Sequence, residues 1–201
     1  MKKFILFICI LNTPMLAATE SPHFFIGAKG GHQWASDETY RHEDPRGAIW
    51  GLYSRLQISP AWSWGGGYQY HGNLKADATS VNVKTWLIES SFRYDWYLKN
   101  NLSLYSRLGI AYWDMEKTQF SSDKLYATGF SPLGEVGVNY NLTSSVLLSV
   151  GYQYIDSIGN SSTGKYDSHA ALINLTYIFG RTTQPIVVDA IKRAPAVERV
   201  P

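Results

Sequence analysis

The sequence predicts an all-β fold, an eight-stranded antiparallel up-and-down transmembrane β-barrel, on three observations. A period-two alternation of apolar and polar residues recurs eight times between residues 24 and 179. One face of each run collects aromatic and aliphatic side chains, while glycines and charges share the other. The breaks between runs alternate short and long. Composition agrees: the 201 residues are 45% hydrophobic and 14% aromatic but only 17% charged, against about 25% in an ordinary soluble domain. That aromatic load excludes disorder, and the single Cys9 excludes a disulfide scaffold. Beyond residue 18 no run approaches the roughly 20 apolar residues of a bilayer-spanning helix.

The first element is an address. Lys2-Lys3, the apolar run Phe4 to Leu11, Pro14 and the small pair Ala17-Ala18 have the layout of a secretory signal peptide cleaved after Ala18. Lys2 and Lys3 account for the whole formal charge of +2, so the exported chain carries 16 basic and 16 acidic residues. No basic footprint for nucleic acid remains.

Eight strands follow. Phe24-Ile26-Ala28 alternates with Gly27 and Lys29. Ala48 through Ile58 alternates Trp50, Leu52 and Leu56 with Gly51, Tyr53, Arg55 and Gln57. Trp62-Trp64-Gly66-Tyr68-Tyr70 opposes Ser63, Gly65, Gly67 and Gln69, and Trp86, Ile88, Phe92, Tyr94 and Trp96 oppose Glu89, Ser91, Arg93 and Asp95. Leu104, Leu108, Ile110 and Tyr112 oppose Ser103, Arg107 and Gly109, while Val136, Val138 and Tyr140 oppose Glu135, Gly137 and Asn139. Val146 through Tyr154 opposes Ser149, Gly151 and Gln153, and Ile173-Leu175-Tyr177-Phe179 opposes Asn174 and Thr176. The breaks at 59–61, 98–101 and 141–145 are short; those at about 36–46, 72–82, 114–128 and 156–168 are long and polar. This is the asymmetry between periplasmic turns and extracellular loops of outer-membrane barrels. A secreted β-sandwich or soluble barrel is the competing architecture. It predicts strands of roughly 5–6 residues, without glycines and ions sharing a face. Trp62, Trp64, Trp86 and Trp96, near the expected turns, fit an interfacial belt.

Five segments resemble the transmembrane domain of the OmpA family of Gram-negative outer-membrane proteins. They are Phe25-Ile26-Gly27-Ala28-Lys29; Leu104 to Gly109 with Tyr112-Trp113; Thr128-Gly129-Phe130-Ser131-Pro132; Tyr152-Gln153-Tyr154 with Ile158-Gly159; and Tyr177-Ile178-Phe179-Gly180. The resemblance covers about residues 24–181. It implies a barrel over 19–180 in the outer membrane, inserted by the barrel assembly machinery among lipid and lipopolysaccharide, with an acid-base cluster gating a poorly conducting lumen. Lys29 and Arg107 keep the family's inward basic positions, and Arg93 takes that of a gating lysine. Gly65 and Asn139 stand where the family has glutamates, and Ser149 where it has an arginine. The candidate gate is therefore a rewired network of Lys29, Arg55, Arg93 and Arg107 against Glu89 and Glu135. Ion pairs that merely fill and stiffen the barrel are the alternative for the same residues, since a charge buried without a partner is costly.

The tail 181–201, with Gln184-Pro185-Ile186-Val187-Val188, resembles the start of the family's linker, so peptidoglycan binding is not carried over. Catalysis is not expected. Some barrels of this size are lipid hydrolases with His and Ser two apart on one strand, whereas Ser168 and His169 are adjacent and face opposite ways. No spacing suggests a metal or a cofactor. Two functions remain: a structural barrel with slow passage of ions or small solutes, and a closed barrel whose loops, such as the charged segment Asp37 to Arg46, contact phage, host surfaces or lipopolysaccharide.

Overall fold

The computed structural model describes residues 23–36, 46–76, 79–99, 101–118, 124–161 and 163–180. The signal segment, the tail from 181 and the charged stretch 37–45 lie outside the described residues. The strands are β1 (Phe24–Ser36), β2 (Arg46–Gln57), β3 (Trp62–Ala76), β4 (Thr79–Lys99), β5 (Leu102–Thr118), β6 (Lys124–Asn141), β7 (Val146–Asn160) and β8 (Gly164–Phe179). Each pairs antiparallel with its neighbours, and β1 closes the barrel on β8 from Phe24↔Phe179 to Ser36↔Asp167. Closure leaves no edge along the lower part of the barrel, the condition for β-structure in hydrocarbon; β6 and β7 pair only from Leu133↔Ile155 to Asn141↔Leu147, so the seam between them ends below the strands' far ends.

Odd-numbered residues of most strands point inward and even-numbered ones outward, as the alternation predicts. Leu52, Ile88, Phe92, Leu108, Ile110, Val150 and Ile173 are exposed on the outer surface; Leu108 reaches 72%. Two aromatic bands border this apolar zone. At the end with the short turns, Phe179 meets both Phe24 and Tyr177, and Tyr94 sits between Trp62 and Trp96 at 4.9 and 4.6 Å. At the other end Trp50, Tyr68, Trp86, Tyr112 and Phe130 touch in sequence across five strands. Trp34, Tyr152 and His169 continue the band over β1, β7 and β8. Such bands mark the two membrane interfaces.

The long loops expected at 72–82, 114–128 and 156–168 are corrected. Strand structure continues through most of each: β4 begins at Thr79, β5 and β6 pair as far as Thr118↔Lys124, and β7 and β8 as far as Asn160↔Gly164. Trp86 is accordingly not near a turn. It lies in the middle of β4, level with the outer band, because that strand runs on past the membrane. Ile155 and Ile158 both face inward because a register shift between them resets the alternation, with Ser157 in the left-handed region at φ 50°.

Candidate functional site

The interior has two tiers of opposite chemistry. Within the membrane span it is polar and ionic. Lys29 Nζ donates to Glu89 Oε1 at 2.5 Å, and Arg107 Nη1 donates to the same oxygen at 2.6 Å. The other arm of Arg107 reaches Glu135 Oε2. Gln69 donates to the second oxygen of Glu89, and Glu135 accepts from Tyr105 OH at 2.7 Å and Gln153 Nε2 at 3.1 Å. Lys29, Glu89, Arg107 and Glu135 thus form a buried chain of two cations and two carboxylates. The ring of Tyr105 fits because the facing positions are glycine: a Cβ at Gly137 would stand 2.6 Å from Tyr105 Cε1, and one at Gly151 would strike its hydroxyl.

The remaining two candidate cations sit nearer the short turns and use a different acid. Arg93 clamps Asp95, Nη2 to Oδ1 at 2.6 Å and Nε to Oδ2 at 3.0 Å, while its guanidinium lies 3.8 Å above the Tyr105 ring. Asn139 accepts from Arg93 and from Ser149, and donates to Asp95 and Ser103. Arg55 Nη1 approaches Asp95 Oδ2 at 3.8 Å. The six residues named from the sequence all line the lumen, but the single network expected of them is corrected into two clusters. Asp95, on the polar face by parity yet left out of that network, is the partner of Arg55 and Arg93. Tyr105, in phase with Ser103 and Arg107 on β5, also faces inward and joins the first cluster through Glu135.

Above this tier the interior becomes apolar. Leu87, Ala111, Trp113, Met115, Leu133, Ile155 and Ile158 pack into one cluster with Leu74, Ala127 and Tyr166. Leu87, Ala111, Ile155 and Ile158 are fully buried, as are Ala170 and Leu172 beside Ile49. Among the polar groups buried with it, Trp113 Nε1 donates to Ser131 Oγ at 2.9 Å and the Thr85 and Tyr166 hydroxyls meet at 3.1 Å, whereas Gln33 Nε2 and His71 Nδ1 have no hydrogen-bond partner among the described residues. The outward side chains at this height include Lys84, Asp114, Glu116 and Lys124, with Glu116 and Lys124 joined at 2.7 Å, and the exposed Tyr126. The cluster fills the barrel interior beyond the ionic tier.

Ser168 and His169 lie on opposite faces of β8. Ser168 is buried and donates to Gln33 Oε1, and His169 turns outward to Tyr152 OH at 2.6 Å. His71 is buried against Gln69, and His42 is outside the described residues.

Comparison with known proteins places this architecture. The model of the OmpA-like transmembrane domain matches residues 19–183. Outer membrane protein A of Salmonella typhi is 26% identical over 189 residues, covering 87% of this chain and 53% of that protein. Its counterpart in Citrobacter freundii is 30% identical over 105 residues, covering 50% of this chain and 43% of that one. The chain thus spans about half the length of the curated relatives it matches. Among solved structures, Neisserial surface protein A superposes with a TM-score of 0.66 at 20% identity, covering 77% of this chain and 96% of that one. Ail, the attachment invasion locus protein of Yersinia pestis, gives 0.54 at 14%, covering 80% and 99%. These likenesses are of fold. Closed eight-stranded topology, a lipid-facing apolar zone between aromatic bands and the match over most of its length make the chain an outer-membrane β-barrel that belongs to the OmpA-like transmembrane domain family.

Proposed function

We propose that this protein is a closed barrel of the Gram-negative outer membrane, delivered by its signal segment and inserted by the barrel assembly machinery. It serves a structural role and acts through what its protruding hairpins touch. The observation that carries this reading is the apolar cap, with Leu87, Ala111, Ile155 and Ile158 fully buried across the lumen. An ion crossing there would exchange its hydration for a mainly apolar wall with a few neutral polar groups such as Thr85 and Ser131, a transfer that costs several kcal/mol. The ionic tier below is then a filling of ion pairs, four cations against three carboxylates, that stiffens the barrel. Phage, host surfaces and neighbouring lipopolysaccharide are the classes of partner for the hairpins.

Planar bilayers test the closure. Purified protein should be silent across voltages, and the paired change Leu87→Ser with Ile155→Ser should introduce discrete steps. A slow charge-gated pore through Lys29, Arg55, Glu89, Arg93, Arg107 and Glu135 makes the opposite prediction. Under that reading the unaltered protein conducts, and Arg93→Glu or Glu135→Lys changes the conductance. The contact role is tested by replacing outward Asp114, Glu116, Lys124 and Tyr126 with serine, which spares the inward core. Adhesion or phage sensitivity should change while the shift in electrophoretic mobility on heating is retained; no change in either would leave the structural role alone.

A further inference from the structure

The two ionic clusters differ in balance. Two cations meet two carboxylates in the chain from Lys29 to Glu135, but Arg55 and Arg93 share only Asp95. Asp95 is already engaged: Arg93 holds both its oxygens and Asn139 donates to one of them. Arg55 is left with a single approach at 3.8 Å, beyond hydrogen-bond length. Its Nε is buried with no hydrogen-bond partner among the described residues, and the residue is only 6% exposed. Phe25 covers one face of the guanidinium, 4.5 Å from ring centroid to carbon, so the donors point edgewise. Beside them is a cavity of about 190 Å³ at the short-turn mouth of the barrel, where Gln57, Pro60, Ser103 and Asn139 contribute to the wall. The charged and titratable groups bordering it are Arg55, Asp95, His23 and Tyr97, with Arg93 behind Asp95; His23 Nδ1 lies 2.9 Å from Gln57 Oε1.

From this geometry we infer that the periplasmic mouth of the barrel is a binding pocket for a small oxyanion, a carboxylate or a phosphate, held by the guanidinium edge of Arg55 with the Ser103 hydroxyl and Gln57 amide at its rim. A buried cation that shares its one carboxylate and lacks hydrogen bonds to it is costly, and the planar guanidinium fork matches a carboxylate or phosphate in two parallel hydrogen bonds. The bound anion completes the balance that Asp95 leaves short. Two sources offer this chemistry, a free periplasmic solute and a carboxylate of the chain's own segment 181–201, such as Asp189 or Glu198.

The test is a titration of the full-length, nitrogen-15-labelled protein in detergent micelles with inorganic phosphate and then acetate, read at the Arg55 Nε–H and Asn139 amide resonances. A saturable shift of both is expected. Arg55→Met should weaken the Asn139 response by about tenfold or more, the scale of a charge-assisted hydrogen bond, while the heat-dependent mobility shift persists. Asp95→Asn, which removes the competing carboxylate with little change of shape, should tighten binding several-fold. If phosphate binds only after Asp189→Asn with Glu198→Gln, the tail carboxylate is the resident anion and the pocket stands. No saturable shift in any variant, or equal affinity in Arg55→Met, would overturn it.

Discussion

Strand β5 passes through two environments, and the same parity carries opposite meanings in them. Between the aromatic bands its outward residues include Leu104, Leu108 and Ile110, with the small Ser106 among them, and its inward ones include Tyr105 and Arg107. Past Tyr112 the outward residues are Asp114 and Glu116, and the inward ones Trp113 and Met115. β4 makes the same exchange, from Glu89, Ser91 and Arg93 inside to Val83 and Leu87 inside, and β8 does so between Asn174 and Leu172. In hydrocarbon the polar groups must turn inward; in water the apolar ones must. One continuous barrel therefore has an ionic core where it is wrapped in lipid and an oily core where it stands in solvent. In β5 and β8 the side-chain period of two is unbroken while its polarity reverses.

The sharpest way to break the ionic tier is to remove its shared acid. Glu89→Ala would strand Lys29 and Arg107, both buried. It should lower unfolding stability by about 3–5 kcal/mol, measured as a shift of the urea midpoint followed by loss of heat-dependent mobility. In the oily tier, Ile155→Ala should cost about 2–4 kcal/mol through lost burial and a cavity. Hydrogen exchange should place the extra opening in the upper parts of β7 and β8, sparing amides between the aromatic bands. Tyr105→Phe removes the hydroxyl that donates to Glu135 while keeping the ring beneath Arg93. A loss of about 1–2 kcal/mol is expected in the same denaturant experiment, the cost of leaving a buried acceptor short of a partner.

The smallest effect belongs to the outer face of the oily tier. The Lys124 ammonium, hydrogen-bonded to Glu116, holds that carboxyl below its ordinary range, and Lys124 is itself raised. The sign follows: whatever the pair contributes is present at neutral pH and disappears as acid titrates Glu116 through its lowered pKa. Because both groups stand in solvent, Glu116→Gln should leave the urea midpoint unmoved at neutral pH. A shift comparable to that of Tyr105→Phe would mean the protruding tier is drier outside than its charges indicate.

The sequence made the membrane-wrapped tier legible because eight runs shared one phase, with glycines beside charges. It made the protruding tier look like loop for the same reason. At Tyr112-Trp113-Asp114-Met115-Glu116 the apolar residues change face, so a reader following the earlier phase sees the strand end where only its surroundings change. The lumenal residues followed from parity, but their partners did not. Parity selects a face and says nothing of height along the barrel axis. The pairing of Arg93 with Asp95, two residues along one strand, in place of Glu135 on another, emerges only once the strands are in register. Tyr105 lies in phase with Ser103 and Arg107, an aromatic whose ring is accommodated inside by Gly137 and Gly151.

The extension of β5 and β6 to Thr118↔Lys124 also constrains how this surface can vary over generations. A flexible loop can drift at every position and change length freely. A hydrogen-bonded ladder over an oily core is free only at alternate residues, and a single insertion would turn every following side chain to the wrong face. Escape from a phage or an antibody should therefore appear in descendants as substitutions at Asp114, Glu116, Lys124, Tyr126 and Thr128, with Trp113, Met115 and Ala127 held constant between them.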